Sequence, residues 1–295
     1  MKHPLKIGNV MAAVAFTALV VMAPAALAGA AANGTEGIAR VVGQSSLTAE
    51  EQQALIGQAQ AARQAGVPAE DVEIIVTRGL ERGVGAPLLG RFLETSVQVV
   101  KHDLPVRPVL DRIEQGLSKG VPPERIDAAG KRLAEGLAKA KPLVDGLVQN
   151  GLPAGTSGVR EAALESVARA GEQSLSARMM QGLGEKVRSQ GQSLDQFEQA
   201  VRTLSFLAGN GVPADAAERV VQTGIEHGLT EREYGRLERK VSDMVRQGRD
   251  MDEIVRAADR QVREDRGPGE GRIGGKQDRV TGGGRDAGGR TGRGR

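Results

Sequence analysis

The chain has 295 residues, with no Cys, no Trp, one Tyr, four Phe and forty-one Gly. Without cysteine it can hold no disulfide, thiolate metal site, cysteine nucleophile or c-type haem attachment. Its glycines keep no three-residue period, which excludes collagen. The formal net charge is +3, and 39% hydrophobic with 26% charged residues is a balance from which most of a chain can build a core.

Residues 1–28 read as a cleavable signal peptide. Lys2 and Lys6 form a short basic start, Val10 to Met22 is apolar apart from one Thr, and Pro24 breaks the helix before the small-x-small site Ala26-Leu27-Ala28. The expected cut follows Ala28. The alternative is an uncleaved anchor in the inner membrane, because no charge appears between Ile7 and Asn33. No Cys at the cut allows a lipoprotein anchor, and no Arg pair suggests the twin-arginine route. After cleavage no transmembrane span is expected, and the mature protein is expected to be soluble, periplasmic or secreted. Residues 29–47 read as a flexible linker.

From 48 to 265 the chain reads as one all-α domain. Gly66-Val67-Pro68, Gly120-Val121-Pro122, Gly151-Leu152-Pro153 and Gly211-Val212-Pro213 each lie between amphipathic runs. Such a tripeptide suits a tight helix-to-helix turn, with Gly left-handed past one helix and Pro opening the next. Capping boxes are expected at Thr48 with Glu51, Ser193 with Gln196, and Thr230 with Glu233.

The turns act as a ruler. Steps of 17, 20 and 17 residues lead from Gly66 through Gly83 and Asp103 to Gly120, where Asp103-Leu104-Pro105 replaces the glycine form. After a gap of 31 residues, Gly151, Gly171, Gly191, Gly211, Gly228 and Gly248 follow at 20, 20, 20, 17 and 20. The gap is expected to hold two helices divided or kinked at Pro142. Each step is one helix and its turn, so the expected architecture is an array of about eleven or twelve short antiparallel helices in hairpin repeats, either solenoid-like or a compact bundle. The stripes Val72-Ile75-Val76-Leu80, Phe197-Val201-Leu204-Ala208, Tyr234-Leu237-Val241-Met244 and Met251-Ile254-Ala258-Val262 have helical spacing. Glycines inside helices, such as Gly57, Gly79, Gly116, Gly182 and Gly224, admit two readings: close approach between helices, or weak helix that is tolerated.

Residues with catalytic potential are few. His102 and His227 stand at expected helix ends, where a cation complements the helix dipole, and neither has metal-ligand spacing around it. Ser157 reads as a helix N-cap, while Glu70-Asp71 and Asp252-Glu253 fall in first helical turns. The pair Glu165-Ser166, followed by Met179-Met180-Gln181-Gly182, is similar to the catalytic Glu-Ser and later Gly-Leu-Met-Gln of lytic transglycosylases. It departs from them in lacking the Gly-aromatic after Ser and any sugar-stacking aromatic nearby in sequence. Glu165 therefore reads as a solvated helix acid. No cofactor is expected.

Residues 266–295 are a different material: twelve Gly and eight Lys or Arg against three acids, with a net charge of +5. Too little apolar surface is available to offset ordering entropy, so a disordered tail is expected. The body between signal and tail carries about −4. Arg266, Arg272, Lys276, Arg279, Arg285, Arg290, Arg293 and Arg295 are candidate contacts for a polyanion: anionic lipid, lipopolysaccharide or extracellular nucleic acid. The plain alternative is a solvated terminus. The functional expectation is an exported, non-enzymatic helical-repeat protein, an interaction or structural component of the bacterial envelope with an envelope protein as partner. The alternatives are a polyanion binder working through the tail and a carboxylate-dependent envelope hydrolase or lytic enzyme.

Overall fold

The computed structural model describes residues 36–264. The signal segment and the basic tail lie outside them. Among the described residues the chain is all helix with no strand. Twelve helices follow in order: α1 (36–43), α2 (Ala49–Gln64), α3 (Ala69–Glu81), α4 (Ala86–Lys101), α5 (Arg107–Ser118), α6 (Pro123–Gln149), α7 (Ser157–Glu172), α8 (Ala177–Ser189), α9 (Leu194–Gly209), α10 (Ala214–His227), α11 (Glu231–Arg246) and α12 (Met251–Glu264). They divide into two compact units. One takes the described residues up to Lys101 with Leu110–Ala128, the other His102–Val109 with those from Ala129 onward.

The turn is the repeating device. Gly66, Gly83, Gly120, Gly151, Gly191, Gly211, Gly228 and Gly248 all have positive φ, from +62° to +102°, and Asp103 takes the same region at +53°. At Gly83 the N–H of the next residue, Val84, reaches back to the carbonyl of Gly79 at 2.9 Å, while Gly83 itself donates to Leu80 at 3.0 Å. That pair of bonds satisfies carbonyls the helix end would otherwise leave open. The same back-bond joins Val67 to Ala62, Val121 to Gly116, Leu152 to Leu147, Val212 to Leu207 and Leu229 to Gly224. Val67, Val84, Leu152, Val212 and Leu229 are all buried, so these five turns are held by a hydrogen bond and an apolar anchor together. The three capping boxes form as expected: the N–H of Thr48, Ser193 and Thr230 donates to Glu51, Gln196 and Glu233 at 2.9, 2.8 and 2.7 Å.

Four sequence expectations change. Residues 36–43, expected within a linker, form α1 and bury Ile38 and Val42. The segment expected to hold two helices, divided or kinked at Pro142, is one helix, α6, with Pro142 inside it. A proline costs such a helix one hydrogen bond and a clash. Here Leu133, Leu137, Ala140, Val144 and Leu147 continue one buried stripe across it, and breaking the helix would take that stripe out of phase. The turn expected at Gly171 lies instead at Ser174, whose φ is +64°. Gly171 stays inside α7. Ser174 puts buried Leu175 in the anchor position, donating to Ala170 at 3.1 Å. The later steps then run 17, 20, 17 and 20 from Ser174 to Gly248. Finally, Ser157 is the first helical residue of α7, and Thr156 holds the N-cap position.

The two readings of the helix glycines both hold, at different positions. A Cβ at Gly79 would lie 2.2 Å from a Leu89 methyl, one at Gly116 2.7 Å from Ile126, and one at Gly224 2.8 Å from the Tyr234 hydroxyl. All three glycines stand four residues before a turn glycine, and all three partners six residues after it. Gly is therefore what lets successive helices close on a large side chain. Gly184 admits Leu147 in the same manner, at 2.5 Å. Gly57, Gly146 and Gly182 meet nothing within 4 Å; they are the tolerated weak points.

Within each unit, contacts also link a helix with the one two positions on. Arg78 of α3 pairs with Glu114 of α5 at 3.7 Å, Lys186 of α8 with Glu226 of α10 at 2.6 Å, and Thr203 of α9 donates to Glu238 of α11 at 2.7 Å. Two substitutions separate the glycine classes. Gly79→Ala is expected to destabilise by about 1–3 kcal/mol through overpacking against Leu89, whereas Gly57→Ala is expected to stabilise by about 0.5–1 kcal/mol. Urea denaturation of both variants checks this, and a shift in the same direction for the two would contradict the packing account.

Candidate functional site

The basic residues singled out as a polyanion contact, Arg266, Arg272, Lys276, Arg279, Arg285, Arg290, Arg293 and Arg295, lie outside the described residues. His102 follows α4 and His227 ends α10, as helix-terminal residues. Among the described residues no three His, Asp or Glu gather as a metal site.

A cleft of about 480 Å³ opens between α7 and α9. These helices run parallel, since Ser166 meets Glu198 while, further along both, Gly209 faces Gln173. Between them α8 turns back antiparallel. The hairpin thus brings residues more than thirty positions apart onto one wall: Glu165, Ser166 and Arg169 from α7, and Glu198, Arg202, Ser205 and Phe206 from α9.

Each polar group has a distinct state. Glu165 forms an ion pair with Arg169 one turn on and is 29% exposed; it is half-buried rather than the solvated acid expected from sequence. Ser166 donates its hydroxyl to Glu198 at 2.8 Å. Burial pushes the Glu198 carboxyl above its ordinary range, and this outweighs the opposing effects of the Ser166 bond and the nearby Arg202 charge. Arg202 donates to Gln199 at 2.5 Å and lies 3.6 Å from Glu231. Ser205 is buried, and its Oγ has no hydrogen-bond partner. Phe206 is half-buried and turns part of its surface to the cleft, while Asn210 donates to the Phe206 carbonyl at 2.8 Å.

The sequence marks Glu165 and Ser166, but not Glu198, Ser205 or Phe206. Phe206 supplies the aromatic ring that the sequence around Glu165 lacks. The signal that could have found it is the 37-residue hairpin period, which superposes α9 on α7. Chemically, the Ser166 proton is committed to a carboxyl that burial makes a better proton holder than an ordinary one. Similar grooves lie between α8 and α10, about 430 Å³, and between α10 and α12, about 310 Å³.

The Glu198 shift fixes a pH dependence. Its folded carboxyl holds the proton more tightly than the unfolded one, so its favourable contribution is complete below the ordinary carboxylate range and is lost as pH rises through the folded value. Glu198→Gln keeps an acceptor for Ser166 and removes the charge. The melting temperature of the variant is expected to exceed that of the parent at about pH 7 and to match it near about pH 4. Equal melting temperatures at both values would show that the burial of this carboxyl costs nothing.

No known protein family, curated protein or solved structure matches this chain.

Proposed function

We propose that the protein is an exported, non-enzymatic helical-repeat protein that acts as an interaction or structural component of the bacterial envelope. The observation that carries this reading is the recurrence of open grooves, lined by charged and apolar side chains together, between alternate helices, α7 with α9, α8 with α10 and α10 with α12. Stacked helical pairs expose the same kind of surface once per repeat, and repeat proteins use such surfaces to hold partners. Charges of both signs line the α10/α12 groove, where Arg219, Arg256 and Arg263 stand with Glu226 and Asp259. This mixture supports a protein partner of matched charge rather than a uniform polyanion. Export is read from the N-terminal residues, with cleavage after Ala28. Polyanion binding by the tail is a separate reading that rests on residues 266–295 alone.

The test is cross-linked capture of partners from envelope extracts with three forms: the mature chain, a chain ending at Asp265, and a mature chain carrying Arg219→Glu with Arg256→Glu. Both arginines are exposed, so the fold should tolerate the exchange. The same partner is expected with the first two forms and its loss with the third. Capture that depends on the tail and ignores the groove would overturn the reading in favour of the polyanion binder.

A further inference from the structure

We infer that the cleft between α7 and α9 is a binding site for an uncharged saccharide. Its volume, about 480 Å³, falls within the range of small-ligand sites. One polar atom there is unspent: Ser205 Oγ is buried without a partner in a residue that lines the cleft. A buried hydroxyl left unpaired is unfavourable, and a turn of the Ser205 side chain toward the cleft would let a ligand hydroxyl relieve it.

The charges of the cleft point to the ligand class. Arg169 is matched by Glu165, and Arg202 by Gln199 and Glu231. An anionic ligand would have to compete with the acids for these arginines, and a cationic one with the arginines for their acids. What the cleft offers instead is neutral hydrogen-bonding capacity. The Ser205 hydroxyl donates and accepts, and the side-chain amides of Gln173 and Asn210 line the far end. Glu198 retains a second carboxyl oxygen beyond the one that accepts from Ser166. Phe206, Ala162 and Gly209 add apolar surface beside these groups. Hydroxyls on one edge and an apolar C–H face on the other are the features of a pyranose ring. An extended peptide, by contrast, is often recognised through a free strand edge, and the described residues hold no strand.

The inference goes beyond the interaction role proposed above and is tested separately from it. Amide NMR titrations of the mature chain would use cellotriose, maltotriose and chitotriose as probes, with tri-alanine and inorganic phosphate as counter-probes. At least one trisaccharide is expected to shift signals of residues 162–173 and 198–210 together. Gly209 is exposed, and a Cβ there meets only Gln173, at 3.5 Å. Gly209→Leu should therefore fill the cleft without disturbing the helices, and is expected to weaken that binding by about tenfold or more. Phe206→Ala is expected to weaken it as well, with the thermal melt reporting whether the variant is folded. Absence of any saccharide response overturns the inference. So does a response confined to tri-alanine or phosphate, or saccharide binding that Gly209→Leu leaves unchanged.

Discussion

Every hairpin in this protein depends on how the chain reverses between one helix and the next. In most turns a residue near the helix end accepts, through its carbonyl, the N–H of an aliphatic anchor five positions on, as Gly79 accepts from Val84 and Gly224 from Leu229. Where that residue is Gly79, Gly116 or Gly224, it also faces a large side chain of the following helix, Leu89, Ile126 or Tyr234. One position thus serves both the backbone bond that stops the helix and the packing that sets the distance to its neighbour. Removing the side chain there costs helix propensity, roughly 0.5–1 kcal/mol for a glycine. The gain is burial of the facing side chain, worth about 1.5–3 kcal/mol for a Leu that becomes fully buried. The exchange favours glycine wherever the facing residue is large.

Close approach explains how a chain with four Phe and one Tyr builds a core at all. Aliphatic residues and alanine fill most of it, and small residues bring backbones near enough for dispersion contacts to replace aromatic bulk. Tyr234 is the informative exception. It is buried against Gly224, its hydroxyl has no hydrogen-bond partner, and burial holds its ionisation above the ordinary tyrosine range. The ring occupies the place that Leu89 and Ile126 take in the equivalent hairpins, and the hydroxyl comes with it at a cost.

The same periodicity generates the clefts. Antiparallel neighbours pack on small residues, so alternate helices come close enough for ion pairs and hydrogen bonds such as Lys186 with Glu226 and Ser166 with Glu198. Long polar side chains bridge these parallel pairs and leave grooves between them. Groove chemistry therefore follows from which polar residues the period superposes. In α7 and α9 a Glu-Ser pair comes to share a cleft with a second Glu and a Phe, the combination that makes this groove different from the others.

Local physics made much of the fold readable in the sequence. Left-handed glycines, capping boxes and 3.6-residue stripes are properties of short segments, so the helices, most turns and their steps follow from residues close together in the chain. Decisions that balance local preference against burial needed the tertiary structure. Pro142 stays within α6 because a buried stripe spans it, and Ser174 takes the left-handed turn in place of Gly171, with Leu175 anchored in the core. Ile38 and Val42 make a helix of an expected linker because they find a buried environment. The cleft is the least legible part. Glu165 and Ser166 are visible as a pair, but the environment that gives Glu198 its raised carboxyl and leaves Ser205 unpaired exists only once α9 lies along α7. Desolvation is a property of what surrounds a group in space, and a sequence shows only what stands beside it in the chain.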